Sequence, residues 1–95
     1  MKILVKLNDG ELLESDFLNA DDLIEKFGST KEAIKYINDT LEFIKNFSRL
    51  EYFNIQVEDS PLFIVAKNIK YVHLVNVNYT LENLKEIMNK ENAST

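Results

Sequence analysis

The chain contains no cysteine and no tryptophan, and it has only two glycines, one proline and one histidine. Without cysteine it has no disulfides, thiolate metal sites or cysteine nucleophiles, and it fits a reducing compartment. A phosphate-binding loop needs several glycines close together, whereas Gly10 and Gly28 lie far apart in the sequence. Disulfide scaffolds and glycine-loop nucleotide sites are therefore excluded.

The chain also lacks a long apolar run. At its start, Lys6 interrupts the apolar residues Ile3, Leu4 and Val5. A signal peptide requires an apolar stretch of about 7–15 residues, and a membrane-spanning helix requires about 20. We therefore expect a soluble, cytoplasmic protein with no membrane partner.

The overall composition of the chain is that of a globular protein. The 95 residues are 45% hydrophobic and 11% aromatic, which is enough for one hydrophobic core. A chain of this length is too short for two domains. We predict a single α+β domain over residues 1–91. Residues 92–95 have no apolar anchor, and we expect them to form a frayed tail.

The first segment predicts a β-hairpin. Asp9-Gly10 lies between two apolar runs, and glycine supplies the positive φ that such a turn requires. A three-residue loop pairs Val5 with Leu13, whereas a two-residue loop would place Val5 opposite Glu14. Burial of apolar residues favours the first register.

Three helices are predicted from capping residues and apolar spacing. Asn19 caps a short helix that Gly28 ends. Ser29 begins a longer helix to about Phe47, with apolar residues on half of its circumference, which suggests two neighbouring elements. Thr80 is the predicted cap of a last helix.

The segment between the second and third helices predicts strands. Phe53, Ile55 and Val57 alternate with polar residues, as in a half-buried strand. A turn is predicted at residues 59–61, a more central strand at residues 62–66, and a valine-rich strand at residues 69–77. The predicted order is ββ-αα-βββ-α, with an antiparallel sheet of about four or five strands and the helices packed on one face.

Catalytic, metal and cofactor motifs are lacking. His73 is a lone histidine on a predicted strand, and zinc would need more ligands of that kind than the chain contains. Direct nucleic-acid binding is disfavoured because the net charge is −5 and Arg49 is the single arginine. We predict no catalytic residue, no metal and no cofactor.

The acidic residues are unevenly distributed. Residues 9–25 hold seven acids and no lysine or arginine, whereas the other residues hold nine acids and eleven bases. The seven are Asp9, Glu11, Glu14, Asp16, Asp21, Asp22 and Glu25. If this stretch folds together, it forms a negative patch that would attract a basic protein surface. A soluble surface with helix-capping acids would show the same pattern.

A second candidate surface is aromatic. Tyr36, Phe43 and Phe47 lie along one edge of the long apolar helix stripe, and Tyr52 follows shortly after it. Such residues are often part of the core, but they also anchor protein–protein contacts.

These patterns give three functional hypotheses. The first is a small regulatory or accessory protein, of the kind that phages and mobile elements encode. It would bind a basic, nucleic-acid-handling protein through its acidic patch, as an inhibitor that imitates the charge of DNA does. The second is a structural subunit that homodimerises through the aromatic edge. The third is a small enzyme of unknown type, which the lack of a catalytic constellation disfavours.

Overall fold

The computed structural model describes residues 1–93, which form three helices and five strands in the predicted order. The strands are β1 (Lys2–Leu7), β2 (Leu12–Glu14), β3 (Tyr52–Val57), β4 (Ser60–Val65) and β5 (Ile69–Val75). The helices are α1 (Ala20–Phe27), α2 (Thr30–Lys45) and α3 (Val77–Ala93), and short 3-10 turns cover Phe47–Arg49 and Ala66–Asn68. The α+β class is confirmed.

The prediction of one sheet of four or five strands is wrong, because the strands form two separate sheets. One has the order β2-β1-β5 and the other pairs β3 with β4, all antiparallel. The 3-10 turn at Ala66–Asn68 redirects the chain between β4 and β5, and β5 then pairs along the whole of β1. The β3–β4 hairpin is left as a two-stranded arm.

The first hairpin has the predicted register. Val5 pairs with Leu13, and Gly10 has a φ of 96°, in the left-handed region that a side chain would disfavour. Burial decides this register, because the alternative would have moved a glutamate onto the inner face. β1 lies in the centre of the three-stranded sheet, between β2 and β5.

The core lies between this sheet and the helices. Ile3 and Val5 on the inner face of β1 join a buried cluster that includes Leu23 of α1, Ile37 of α2 and Leu84 of α3. The opposite face carries Lys2, whose Nζ lies 3.6 Å from Glu14 Oε1. Each helix therefore buries one face, and the outer face of the sheet is open to solvent.

The helix boundaries follow their caps in two of three cases. Asn19 caps α1, Gly28 ends it with a φ of 92°, and Ser29 caps α2 by accepting from the Glu32 amide. The prediction that Thr80 caps α3 is wrong: the helix begins at Val77, and the Thr80 hydroxyl donates to the Asn76 carbonyl inside the first turn. A threonine within a helix can bond the carbonyl four residues back, so its position does not mark a helix start.

The β3–β4 arm differs from the sequence prediction in two ways. Its turn lies at Glu58 and Asp59, whose φ values of 52° and 61° fit a two-residue turn, so Ser60 and Pro61 already belong to β4. The prediction that residues 62–66 form a central strand is wrong, because Leu62 and Phe63 are exposed. A continuous apolar run on a two-stranded arm cannot be covered on both faces.

At the carboxyl end, α3 continues to Ala93, two residues into the stretch that we predicted to fray. Residues 94 and 95 lie outside the described residues.

Candidate functional site

Three of the seven acids in the acidic stretch come together in one cleft. Asp16, Asp22 and Glu25 line an open cleft of about 630 Å³ between α1 and the β3–β4 arm. The structure adds a fourth carboxylate, that of Asp59 at the tip of the arm. We call this feature the acidic cleft. Asp59 is distant in the sequence, and no local pattern assigned it to the patch.

The geometry of α1 fixes the Asp22 carboxylate. The Asn19 side chain accepts from the Asp22 amide at 2.8 Å, and the Asp22 carboxylate accepts from the Asn19 amide at 2.9 Å. This reciprocal pair is a capping box, which satisfies two otherwise unpaired amides at the helix start. Asp22 is therefore a structural acid that also contributes charge to the acidic cleft.

Asp16 fixes the other wall of the cleft. Its two carboxylate oxygens accept from the backbone amides of Glu58 and Asp59 at 2.8 and 2.9 Å, and its own amide donates to the Gln56 carbonyl. The bond from the Asp59 amide, followed by that from Glu58, lowers the pKa of Asp16 below its usual value, and the charge of Lys26 acts in the same direction. Asp16 thus holds the turn of the arm beside the start of α1.

The acidic cleft also contains cations. Lys2 and Lys26 line it, and the Met1 amine donates to the Leu18 carbonyl at 2.7 Å. Burial lowers the pKa of this amine, and the nearby Asp22 carboxylate partly offsets that effect. Four acidic residues and two lysines line the cleft, and the Lys2 ammonium lies beside Glu14 on the outer face of the sheet, so the cleft is negative without being uniformly so.

Among residues 1–93, two carboxylates of the cleft have neither a hydrogen-bond donor nor an ion-pair partner. Lys2 lies near Glu14, Lys26 acts on Asp16, and the Met1 amine acts on Asp22. Within residues 1–93, no hydrogen bond or ion pair is found for the carboxylates of Glu25 and Asp59. These two groups are the ones available to an external cation.

The remaining acids of the stretch lie outside the acidic cleft. Asp9 accepts from the Glu11 amide in the β1–β2 turn, and Glu14 is near Lys2 on the outer face of the sheet. Asp21 lines a different groove, between α1 and α3, together with Tyr79. Proximity in sequence therefore did not bring all seven carboxylates into one cavity.

The predicted aromatic edge forms a separate groove. Tyr36, Phe43 and Tyr52 line a groove of about 470 Å³ between α2 and the arm, and Phe63 of β4 completes it. Phe47, the fourth predicted residue, does not line this groove and packs against the core instead. We call this feature the aromatic groove. Sequence analysis missed Phe63 because its apolar run was assigned to a central strand.

Tyr36 stacks on Phe27 with their ring centroids 4.3 Å apart. This contact holds Tyr36 between α1 and α2, where it lines both the acidic cleft and the aromatic groove. Ile3 and Asn54 are also shared by the two cavities. The cleft and the groove are therefore adjacent parts of one concave surface beside the arm.

No group of three or more histidine, cysteine or acidic side chains within residues 1–93 is placed to hold a metal ion. His73 is exposed on β5. No helix in this part of the chain is both long and apolar enough to cross a membrane.

The chain matches no protein-family model, and no curated protein or solved structure shows significant similarity to it. The functional interpretation therefore depends on the geometry of the acidic cleft and the aromatic groove.

Proposed function

We propose that this protein is a protein-binding module whose acidic cleft binds a basic segment of a partner protein. The observation that carries the proposal is the pair of carboxylates of Glu25 and Asp59, which face the same cleft and have no partner within residues 1–93. In this role the protein is a small cytoplasmic regulator or accessory protein. It binds a basic surface of its partner that would otherwise bind nucleic acid.

The local structure suits this role because part of the negative charge is held in place before binding. Asp16 and Asp22 are fixed by hydrogen bonds to backbone amides, so no side-chain freedom is lost in orienting them. Charges of this kind accelerate the approach of an oppositely charged surface and select against acidic ones. The free carboxylates of Glu25 and Asp59 would then make the direct contacts.

Because of these hydrogen bonds, Asp16 and Asp22 are unsuitable for substitution in a binding experiment. Replacement of Asp16 or Asp22 would remove a structural contact together with a charge, so weaker binding could reflect a loosened arm or helix. Glu25 and Asp59 can be neutralised without that loss. Asparagine suits position 59 because it tolerates the positive φ found there.

The first experiment measures the binding of a labelled synthetic peptide of about twelve residues, rich in lysine and serine, by fluorescence anisotropy. The double variant Glu25→Gln with Asp59→Asn should bind it about 3- to 10-fold more weakly than the wild type, because two exposed charge contacts are lost. Binding to the wild type should weaken as salt rises from about 50 to about 300 mM, since screening shortens the reach of the charges.

A matched control changes the same charge elsewhere. The double variant Asp21→Asn with Glu86→Gln neutralises two acids in the groove between α1 and α3. It should bind the peptide as the wild type does, within about twofold. Equal weakening in both double variants would show that only net charge matters, and the acidic cleft would not be a binding site.

Homodimerisation is the second candidate function, and the exposure of Phe43 and Tyr52 in the aromatic groove favours it. Aromatic side chains of this kind anchor contacts between subunits. Light scattering would then give twice the monomer mass of 11.1 kDa, and Phe43→Glu would restore the monomer. A monomeric wild type at high concentration would exclude this function.

A further inference from the structure

Several apolar side chains that line the aromatic groove are largely exposed to solvent. The exposed fraction is 57% for Phe43, 53% for Tyr52 and 63% for Phe63. They come from two elements, α2 and the β3–β4 arm, and line one groove with Leu50. Apolar side chains that are gathered in a concavity, rather than scattered singly, mark a surface for another molecule.

The charges around the groove indicate what kind of molecule would bind in it. Asp39 is the only charged residue among the described residues that line it, and the adjacent acidic cleft is lined by four acidic residues and two lysines. A partner that covers both cavities therefore meets a surface of net negative charge with an apolar end. Cationic and apolar side chains on one segment complement it.

A second copy of this chain fits the same surface less well. In a two-fold symmetric dimer, both subunits use the same patch, so the two surfaces that meet would carry charge of the same sign. Each chain has a net charge of −5, and like charges across an interface are unfavourable. An anionic lipid surface is disfavoured for the same reason.

We infer that the acidic cleft and the aromatic groove form one binding site for a single amphipathic basic segment of a partner protein. The lysine or arginine side chains of the segment lie in the cleft, near Glu25 and Asp59, and its phenylalanine or leucine side chains lie in the groove, against Phe43 and Phe63. Ile3, Tyr36 and Asn54 line both cavities, so the two cavities adjoin. This inference rests on the proposed function and specifies its ligand.

The experiment compares two synthetic peptides of equal length and charge. One carries lysine and serine, and the other carries lysines in one half and leucine with phenylalanine in the other half. An extended peptide of about twelve residues spans about 40 Å, long enough to lie along both cavities. The amphipathic peptide should bind the wild type about tenfold more tightly than the lysine–serine peptide, because aromatic and aliphatic contacts are added.

Matched substitutions then locate the apolar contact. Phe63→Ser should remove the tenfold gain and leave the affinity for the lysine–serine peptide unchanged. Tyr79→Ser is the control, because Tyr79 is 67% exposed and lies in the groove between α1 and α3. It should leave both affinities unchanged. Both side chains are largely solvent-exposed, so neither substitution removes core packing.

Each alternative result has a distinct meaning. If both peptides bind equally, or Phe63→Ser and Tyr79→Ser have the same effect, the combined site is wrong while the acidic cleft stands. If neither peptide binds, the proposed function fails as well. If the wild type sediments as a dimer that Phe63→Ser converts to a monomer, a second copy occupies the groove, and the inference is overturned.

Discussion

The carboxylate of Asp16 connects parts of the chain that are distant in sequence. It follows β2, and it accepts two backbone hydrogen bonds from the turn between β3 and β4. Both residues of that turn have positive φ, a conformation that non-glycine residues adopt infrequently. The two hydrogen bonds therefore compensate a turn that its own residues, Glu58 and Asp59, do not strongly favour.

This arrangement predicts a pH-dependent contribution of Asp16 to stability. Because its pKa is lower in the folded chain than in the unfolded chain, the contribution is fully present above the unfolded value of about 3.9. It is lost as the pH falls through the folded value. Asp16→Asn should therefore lower the urea midpoint at about pH 7, and the difference from the wild type should shrink towards about pH 3.

Urea denaturation of both proteins at the two pH values measures this effect. Asp9→Asn is the control, because Asp9 accepts a single amide bond within its own turn and does not contact the arm. An equal loss of stability for Asp16→Asn at both pH values would mean that its charge does not contribute.

At the scale of elements, the parts that sequence analysis predicted well are those with two independent signals. The start of α2 has both a capping serine and an apolar periodicity, and the first hairpin has both a glycine turn and a burial requirement. The β4 segment had one signal, its apolar run. That run is equally compatible with a central strand and with an exposed wall of a groove, since periodicity does not report what covers a residue.

The candidate site was predictable to a similar extent. The acidic stretch included Asp16, Asp22 and Glu25, which line one cleft because β2 leads directly into α1. Asp59 and Phe63 were missed because only the folding of the arm against α1 and α2 brings them near. Contacts of this kind depend on tertiary packing, and local sequence does not encode them.

The two-stranded arm should be less protected than the main sheet. Pairing of Glu51 with Ala66 and of Val57 with Ser60 leaves the amides of Phe63 and Val65 facing away from β3. Pro61, which has no amide hydrogen, occupies the same outward side and limits further pairing at this edge.

Hydrogen exchange tests this difference between the elements. The amides of Leu4 and Lys6 in β1 lie between two strands, and they should exchange at least about tenfold more slowly than those of Phe63 and Val65. Equal protection would indicate that the outer edge of β4 is covered, for example by another chain. The amphipathic peptide, which contacts side chains in the groove, is not required to protect this edge.

At the scale of the whole molecule, the fold is elongated. Its principal extents are 51 × 25 × 19 Å, and its radius of gyration of 14.6 Å exceeds the value of about 12 Å expected for a compact chain of this length. The β3–β4 arm is not part of the three-stranded sheet, and each cavity is lined by residues of the arm together with residues of α1 or α2. The concave surface is thus a consequence of the split into two sheets.

The combined site is tested most directly by an NMR titration of the uniformly labelled protein with the amphipathic basic peptide. Amide shift changes are expected mainly at Glu25, Asp59, Tyr36 and Phe63, with no change at Asp21 or Tyr79, and the affinity should depend on the salt concentration. Changes centred on the groove between α1 and α3, or spread evenly over all acidic residues, would contradict it.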